Sequence, residues 1–300
     1  MQKFLKHTAI ILVASLVISV VLSSLGMRFL RQSSFYKPSF LVNDVKEANF
    51  DYIVLGASTG LTTINTITID ATIGTIGLNL AMDDTAISSQ YLMLQHFLSQ
   101  GKTAKYCILA PSASSFQKID KRVSDNDYRF LPFVNQEYVS AYYKSFSDRQ
   151  ANILKRSRYI PAIGMSYYNA ELFYPSLLSV LKPRKRNRFD SRGNYTYPNI
   201  NRPDQPITDV SSFPVTIKNE FVEKIKTLCE ANNIQLIIYF SPIENKNVIF
   251  DNENYMVINH SDLFPNRKYF YDEIHVNTQG RELVSLDLAA RLDHIMNQQK

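Results

Sequence analysis

Cysteine is scarce in this chain: Cys107 and Cys229 are the only two among 300 residues. They lack metal-type spacing and read as packed thiols, one on a buried strand and one on a helix, which leaves the redox compartment open. A second long apolar run is also missing, so one anchor and one soluble body are expected. No internal repeat and no nucleic-acid-binding motif is present, and a body tethered to a membrane is a poor partner for nucleic acid. What the chain does have is apolar content: hydrophobic residues make up 45%. That suffices to bury a sizeable core and excludes disorder for most of the length.

The one long apolar run is "TAIILVASLVISVVLSSLGM", Thr8 to Met27, without a single charge. Twenty residues at ~1.5 Å rise give about 30 Å, enough to cross the hydrocarbon core of a bilayer. A signal peptide has a shorter apolar region and a small-x-small cleavage site, and "SSLGM" is a poor one. The run therefore reads as an uncleaved anchor. Lys3 and Lys6 on one side balance Arg28 and Arg31 on the other, so the positive-inside rule gives no orientation. The expected organisation is a tail (1–7), the anchor (8–27), a polar connector (28–49) and a body (50–300) with an insertion at about 112–206. The net charge of +6 is spread out apart from "KPRKRNR", Lys182 to Arg188. That run suits anionic headgroups or an acidic polymer, or is a solvated loop on a basic protein.

Strand and helix signals alternate along the body. Strands are expected at Tyr52–Leu55, Gly74–Ala81, Lys105–Pro111 and Ile234–Pro242, the third a continuous apolar run as in a sheet covered on both faces. Helices are expected over "DDTAISSQYLMLQHFLSQGK", near Gln136–Lys155 and Ala162–Leu181, over "SFPVTIKNEFVEKIKTLCEANN", and at the C-terminus. This order argues for an α/β fold with a mostly parallel sheet, whose sites form at the carboxyl ends of strands. The turn "GASTG", Gly56 to Gly60, lies at such an end.

Three motifs overlap on that turn. A short-chain dehydrogenase turn needs a further glycine where Thr62 stands and a Tyr-x-x-x-Lys pair, which none of the eighteen tyrosines supplies. The α/β-hydrolase elbow matches Gly56-x-Ser58-x-Gly60 literally, but it normally follows several strands rather than the first. The third reading pairs Ser58 with a distant base. His7 precedes the anchor, His96 and His294 sit inside helices, and His260 lies in a polar loop. His275 stands in "YDEIHVNTQG" just before the last helix, three residues after Asp272. A tight turn there would let Asp272 orient the imidazole, with His275 facing Ser58 and Asn277 capping the helix. A metal site from Asp83, Asp84, Asp272 and His275 is a further alternative, although adjacent aspartates at a strand end are more often a cap and a solvated neighbour. No metal and no cofactor is expected.

An early Gly-x-Ser turn with Asp-x-x-His before a C-terminal helix resembles the SGNH (GDSL-type) hydrolase family. The matching residues are Gly56, Ser58 and Thr59, then Asp272, His275, Asn277 and Gly280, within a span of roughly Asp51 to Ile295. The resemblance implies a three-layer α/β/α sandwich, flavodoxin-like, with a parallel sheet of about five strands. It implies Ser58 as nucleophile, His275 as base and Asp272 as its orienter. With the anchor, it looks like the membrane-tethered branch that acts on acyl esters of cell-envelope or exported polysaccharide. The implied body faces the periplasm or cell exterior, with an acylated glycan or acyl donor as substrate and a membrane-bound acyltransferase as partner. The chain departs from the family where oxyanion donors are expected. "NLAMDD" has no glycine in that block, and "LAPSASS" replaces Gly-x-Asn-Asp. The backbone amides of Ser58 and Asp84, with Asn79 or Ser112 as side-chain donors, are the candidates left. Losing one such donor costs about a hundred- to a thousand-fold in rate. A tethered glycan-binding or assembly factor without turnover is the alternative.

Overall fold

A computed structural model describes residues 1–200 and 202–298. From the N-terminus come α1 (Gln2–Arg31), α2 (Lys37–Asn43), β1 (Asn49–Gly56), α3 (Ser58–Thr63), α4 (Thr66–Ile73), β2 (Gly77–Asn79), α5 (Ile87–Ser99) and β3 (Thr103–Ala110). The middle holds α6 (Glu137–Lys144), α7 (Arg149–Ser157), α8 (Pro161–Tyr167) and α9 (Tyr174–Leu181), the last entered through a π-turn at Asn169–Phe173. Then follow β4 (Ser211–Pro214), α10 (Glu220–Glu230), β5 (Gln235–Phe240), β6 (Lys246–Ile249), β7 (Met256–Asn259) and α11 (Thr278–Asn297). These fall into two units: Met1–Val45 with Asp127–Asn187, and Lys46–Asn126 with Arg188 onward.

The second unit is built on a five-stranded sheet of order β2-β1-β3-β5-β7, every neighbouring pair parallel. Tyr52 to Leu55 of β1 and Cys107 to Ala110 of β3 are wholly buried, which is why both strands read as continuous apolar runs. Side chains alternate across the sheet. Val54, Ile108 and Ile237 join one apolar cluster with Val284, Leu288 and Leu292 of α11. Cys107, pointing the other way, meets Cys229 of α10, and the hydrogen bond between them, together with burial, pushes its thiol up. Both cysteines are free and buried. The register sets Gly56 opposite Ala110, so β1 and β3 end level with each other.

Several boundaries differ from those expected, each for a local reason. β2 is shorter than Gly74–Ala81 because Gly74, at φ 70°, closes α4 in the left-handed conformation. The Asp70 carboxylate then holds the turn, accepting from Thr75 Oγ1 and Gly77 N. α10 starts only at Glu220, where the Asn219 side chain accepts from Phe221 N, while the upstream Ser211–Pro214 pairs with β6 as a strand. The sheet unit resumes at Arg188, well before the expected end of the insertion near 206. Arg192 O accepts from Asn79 N, and Asn194 Oδ1 accepts from Thr66 N, tying this loop to the edge of the sheet.

In the first unit, α1 is long and apolar enough to cross a membrane. Its side chains are exposed along most of its length and become buried at Ser23, Gly26, Met27 and Leu30, where α8 and α9 pack. Gly26 lets α8 and α9 approach closely: a Cβ there would lie 2.8 Å from Met165 Cε, the flexible end of that side chain, and 3.1 Å from Ser176 Oγ. The polar connector carries helix: α1 runs on to Arg31, and α2 starts with Pro38 in its first turn. The helix expected at Gln136–Lys155 is broken in two, because the Asp148 carboxylate caps α7 by accepting from Ala151 N.

Candidate active site

Ser58 is the first residue of α3, directly after β1. The glycines around it serve clearance. A Cβ on Gly56 would sit 2.3 Å from Ala110 O, and one on Gly60 would sit 2.7 Å from the same oxygen. They let the turn close against the end of β3, and the short helix is completed by Thr62 Oγ1 donating to Ser58 O at 2.9 Å.

The late loop is a narrow hairpin. Phe270 and Val276 form an antiparallel bridge, and Tyr271 N donates to His275 O at 2.8 Å. Inside it, one Asp272 carboxylate oxygen accepts from the backbone N–H groups of Ile274 and His275, both at 2.9 Å. The carboxylate also faces His275 Nδ1 at 2.8 and 3.0 Å. Burial works against ionisation of Asp272, but the bond from His275 and the two backbone donors outweigh it and hold the carboxyl below its usual range. With Nδ1–H donated to Asp272, Nε2 is left as an acceptor, and Ser58 Oγ lies 2.9 Å from it. Asn277 caps α11, its Oδ1 accepting from Gly280 N at 3.0 Å while its Nδ2 donates to Lys268 O. Gly280 is tight as well: a Cβ would lie 2.3 Å from Tyr269 O. The structure thus brings Ser58, His275 and Asp272 into one line, across 217 positions of sequence between serine and histidine.

Ser58 also lines a cavity of about 420 Å³, together with Ala57, Asp84, Thr85 and Ser112. Asp84 stands in the left-handed region at φ 51°. Of the side-chain oxyanion candidates, Ser112 lines this cavity, whereas Asn79 does not. The buried Asn79 amide donates to Gly60 O and Ile64 O, and its oxygen accepts from Ala81 N. It clamps the turn and has no donor left for the site. Lys118, Lys121 and Arg122 also line it, alongside Asp120 and Asp125.

His260 is placed elsewhere. It is 1% exposed, with Nδ1 2.9 Å from the Tyr239 hydroxyl and Nε2 2.8 Å from the Asp287 carboxylate. Burial lowers its pKa to about 4, against the pull of Asp287. Asp83 accepts from Asn126 Nδ2 through its backbone carbonyl. Among the described residues, no group of three or more His, Cys, Asp or Glu side chains is arranged to hold a metal ion. One neighbour escaped the sequence reading. Tyr197 lies edge-on to His275, with ring centres 5.1 Å apart, and stacks flat on Tyr271 at 4.4 Å. Its backbone bridges Asn277, and its carbonyl accepts from Thr278 Oγ1. The only signal for it was a tyrosine-rich "NYTYP" loop of no fixed period. No protein-family model matches this chain, and no curated protein sequence matches it.

Proposed function

We propose that this chain is a membrane-anchored serine esterase or O-acyltransferase of SGNH type, acting on acyl esters of cell-envelope or exported polysaccharide. The single observation that carries the reading is the relay from Ser58 Oγ through His275 to Asp272, at 2.9 and 2.8 Å. Those distances are what proton transfer from a hydroxyl to an imidazole requires. Ser58 Oγ attacks the ester carbonyl while Nε2 of His275 takes its proton. The tetrahedral intermediate collapses, His275 returns the proton to the departing alcohol, and an acyl-serine remains. Water or a sugar hydroxyl, deprotonated by the same imidazole, then releases the acyl group. Asp272 holds the tautomer and offsets the imidazolium charge. The cavity walls of Ser58, Asp84 and Ser112 are where the oxyanion would be received.

Helices on both faces of the parallel sheet support the three-layer sandwich expected of such enzymes, and α1 supports a single-pass anchor; a body facing the periplasm or exterior is what the proposed role calls for. A membrane-bound acyltransferase is the partner this role calls for. The other reading, a glycan-binding or assembly factor without turnover, is favoured by one observation, the engaged amide of Asn79. A fluorophosphonate probe separates the two. Full-length chain in detergent is expected to take the label, to lose it entirely as Ser58→Ala, and to be labelled more slowly as His275→Ala. A folded wild-type chain that takes no label would favour the binding factor.

A further inference from the structure

The insertion carries an apolar stripe turned away from the anchor. Tyr174, Leu177, Val180 and Leu181 of α9 are exposed by 60%, 50%, 50% and 78%. The opposite side of this helix is small: Ser176 and Ser179 are buried, and Ser176 sits against Gly26 of α1. Lys182, Arg184 and Lys185 follow at once and are exposed, while the next cation, Arg186, turns back to Asp44 at 2.8 Å. At the same end, Ser34 N donates to Pro183 O at 2.8 Å, so α9 and the basic run are fixed beside the polar end of α1.

We propose that α9 and the cations after it lie in the headgroup–acyl boundary of an anionic phospholipid bilayer, next to the point where α1 enters it. Gly26 is one residue from the end of the charge-free run Thr8–Met27. At 1.5 Å per residue, the contact stretch from Ser23 to Met27 occupies the outer ~6 Å of the apolar span. Interfacial helices bury their apolar face about 5–10 Å into this boundary, with Lys and Arg towards the headgroups. Lipid is the occupant that fits on two counts. The stripe lies on a helix packed against the end of the apolar span of α1, and the cations match anionic headgroups. An apolar stripe of this size left in water would otherwise be a liability.

The inference rests on α1 being a membrane anchor, and the test separates the two claims. The chain has no tryptophan, so Leu177→Trp and Leu16→Trp are each a single reporter in the full-length protein. Both are reconstituted into phosphatidylglycerol–phosphatidylcholine vesicles whose acyl chains carry bromine at shallow or deep positions. Trp emission at position 177 is expected to be quenched, more by shallow bromines than by deep ones. Position 16 is expected to be quenched more by deep bromines. Replacing Lys182, Arg184 and Lys185 by Gln, or using pure phosphatidylcholine, is expected to weaken quenching at position 177, each lost cation weakening the surface attraction about fivefold. Quenching at 16 but not at 177 overturns this inference and leaves the anchor. No quenching at either overturns both. Cross-linking between copies through Leu177→Cys, without quenching at 177, would assign the stripe to a second copy instead. Quenching at 177 that ignores both the Gln variant and the lipid charge would remove the headgroup half of the claim.

Discussion

At the end of β7, His260 sits between the Tyr239 hydroxyl at Nδ1 and the Asp287 carboxylate at Nε2. In the loop before α11, His275 sits between the Asp272 carboxylate at Nδ1 and the Ser58 hydroxyl at Nε2. Each imidazole lies between a hydroxyl and a carboxylate at 2.8 to 2.9 Å, but His260 Nε2 only approaches Asp287 without an aligned hydrogen bond, whereas both nitrogens of His275 are bonded. They differ in what lies beyond the hydroxyl. The Tyr239 ring is fully buried in the core, whereas Ser58 lines a cavity. They differ also in carboxylate support, since Asp272 is fixed by two backbone N–H groups in its own hairpin and Asp287 shares its charge with Arg291. Closeness of a hydroxyl, an imidazole and a carboxylate alone therefore does not mark a reactive centre. An opening beside the hydroxyl and an independently fixed carboxylate are what separate a relay from a packed polar core.

Asp272→Asn gives the largest expected break in that comparison. The amide oxygen still accepts from Ile274 N and His275 N, so the hairpin is kept. Its NH2 group can instead donate to Nδ1, which favours the tautomer that turns an N–H towards Ser58. Fluorophosphonate labelling is expected to slow by on the order of 10³- to 10⁴-fold. A loss below tenfold would reduce Asp272 to a loop-fixing residue and make the two histidines more alike than proposed here.

The comparison also shows where sequence reading succeeds and where it stops. Ser58, Asp272 and His275 were legible because each sits at a marked place: the abrupt end of an apolar strand, and an Asp-x-x-His before a capped helix. β1 and β3 were legible for the same reason, being buried on both faces. β4, β6 and β7, each of four residues, are too short to carry a period. The polar surroundings of His260 read only as a loop. Its burial follows from parallel pairing of β7 with β5, which brings His260 N to Phe240 O, and no local pattern encodes that. Asn79 was a candidate donor because the usual ones are missing from "NLAMDD" and "LAPSASS". Only the fold shows that its amide is used on Gly60 O of the Ser58 helix and on Ile64 O just after it. Tyr197 is held at the site through Asn277 and Thr278, about eighty positions away.

His260 gives the next effect, on stability. Its folded pKa, about 4, lies below the usual 6.5, so on acidification the unfolded chain binds the proton first. The stability it contributes is complete above about pH 6.5 and is lost as pH falls towards 4, up to about 3 kcal/mol. Denaturant unfolding of the full chain in detergent at neutral and acid pH reads this. His260→Ala is expected to flatten the dependence and to cost about 1–3 kcal/mol at neutral pH, since it strands the Tyr239 hydroxyl. Labelling per folded molecule should stay unchanged. If His260→Ala abolished labelling while the chain stayed folded, the relay would have been assigned to the wrong histidine.

Tyr197 sharpens the comparison by the smallest margin, because it separates ring from hydroxyl beside His275. Its hydroxyl is held protonated, with a pKa raised by burial first and then by the nearby Tyr195, Asp272 and Asp83. It carries no charge that could tune the imidazole at neutral pH. What remains is the ring, wedged edge-on against His275 and stacked on Tyr271, and edge-to-face pairs contribute about 0.5–1.5 kcal/mol. If that contact keeps the imidazole aimed at Ser58, Tyr197→Ala should slow labelling by about two- to twelvefold, since 1.4 kcal/mol corresponds to tenfold. Tyr197→Phe, which keeps the ring, should restore the wild-type rate. Equal losses in both variants would instead mean that the hydroxyl acts on the reacting group itself. The second imidazole has the same kind of neighbour, the Tyr239 ring edge-on at 5.3 Å, yet there the hydroxyl is the bonded partner. The Phe variants at 239 and 197 should therefore behave oppositely: Tyr239→Phe lowers stability and spares labelling, while Tyr197→Phe changes neither.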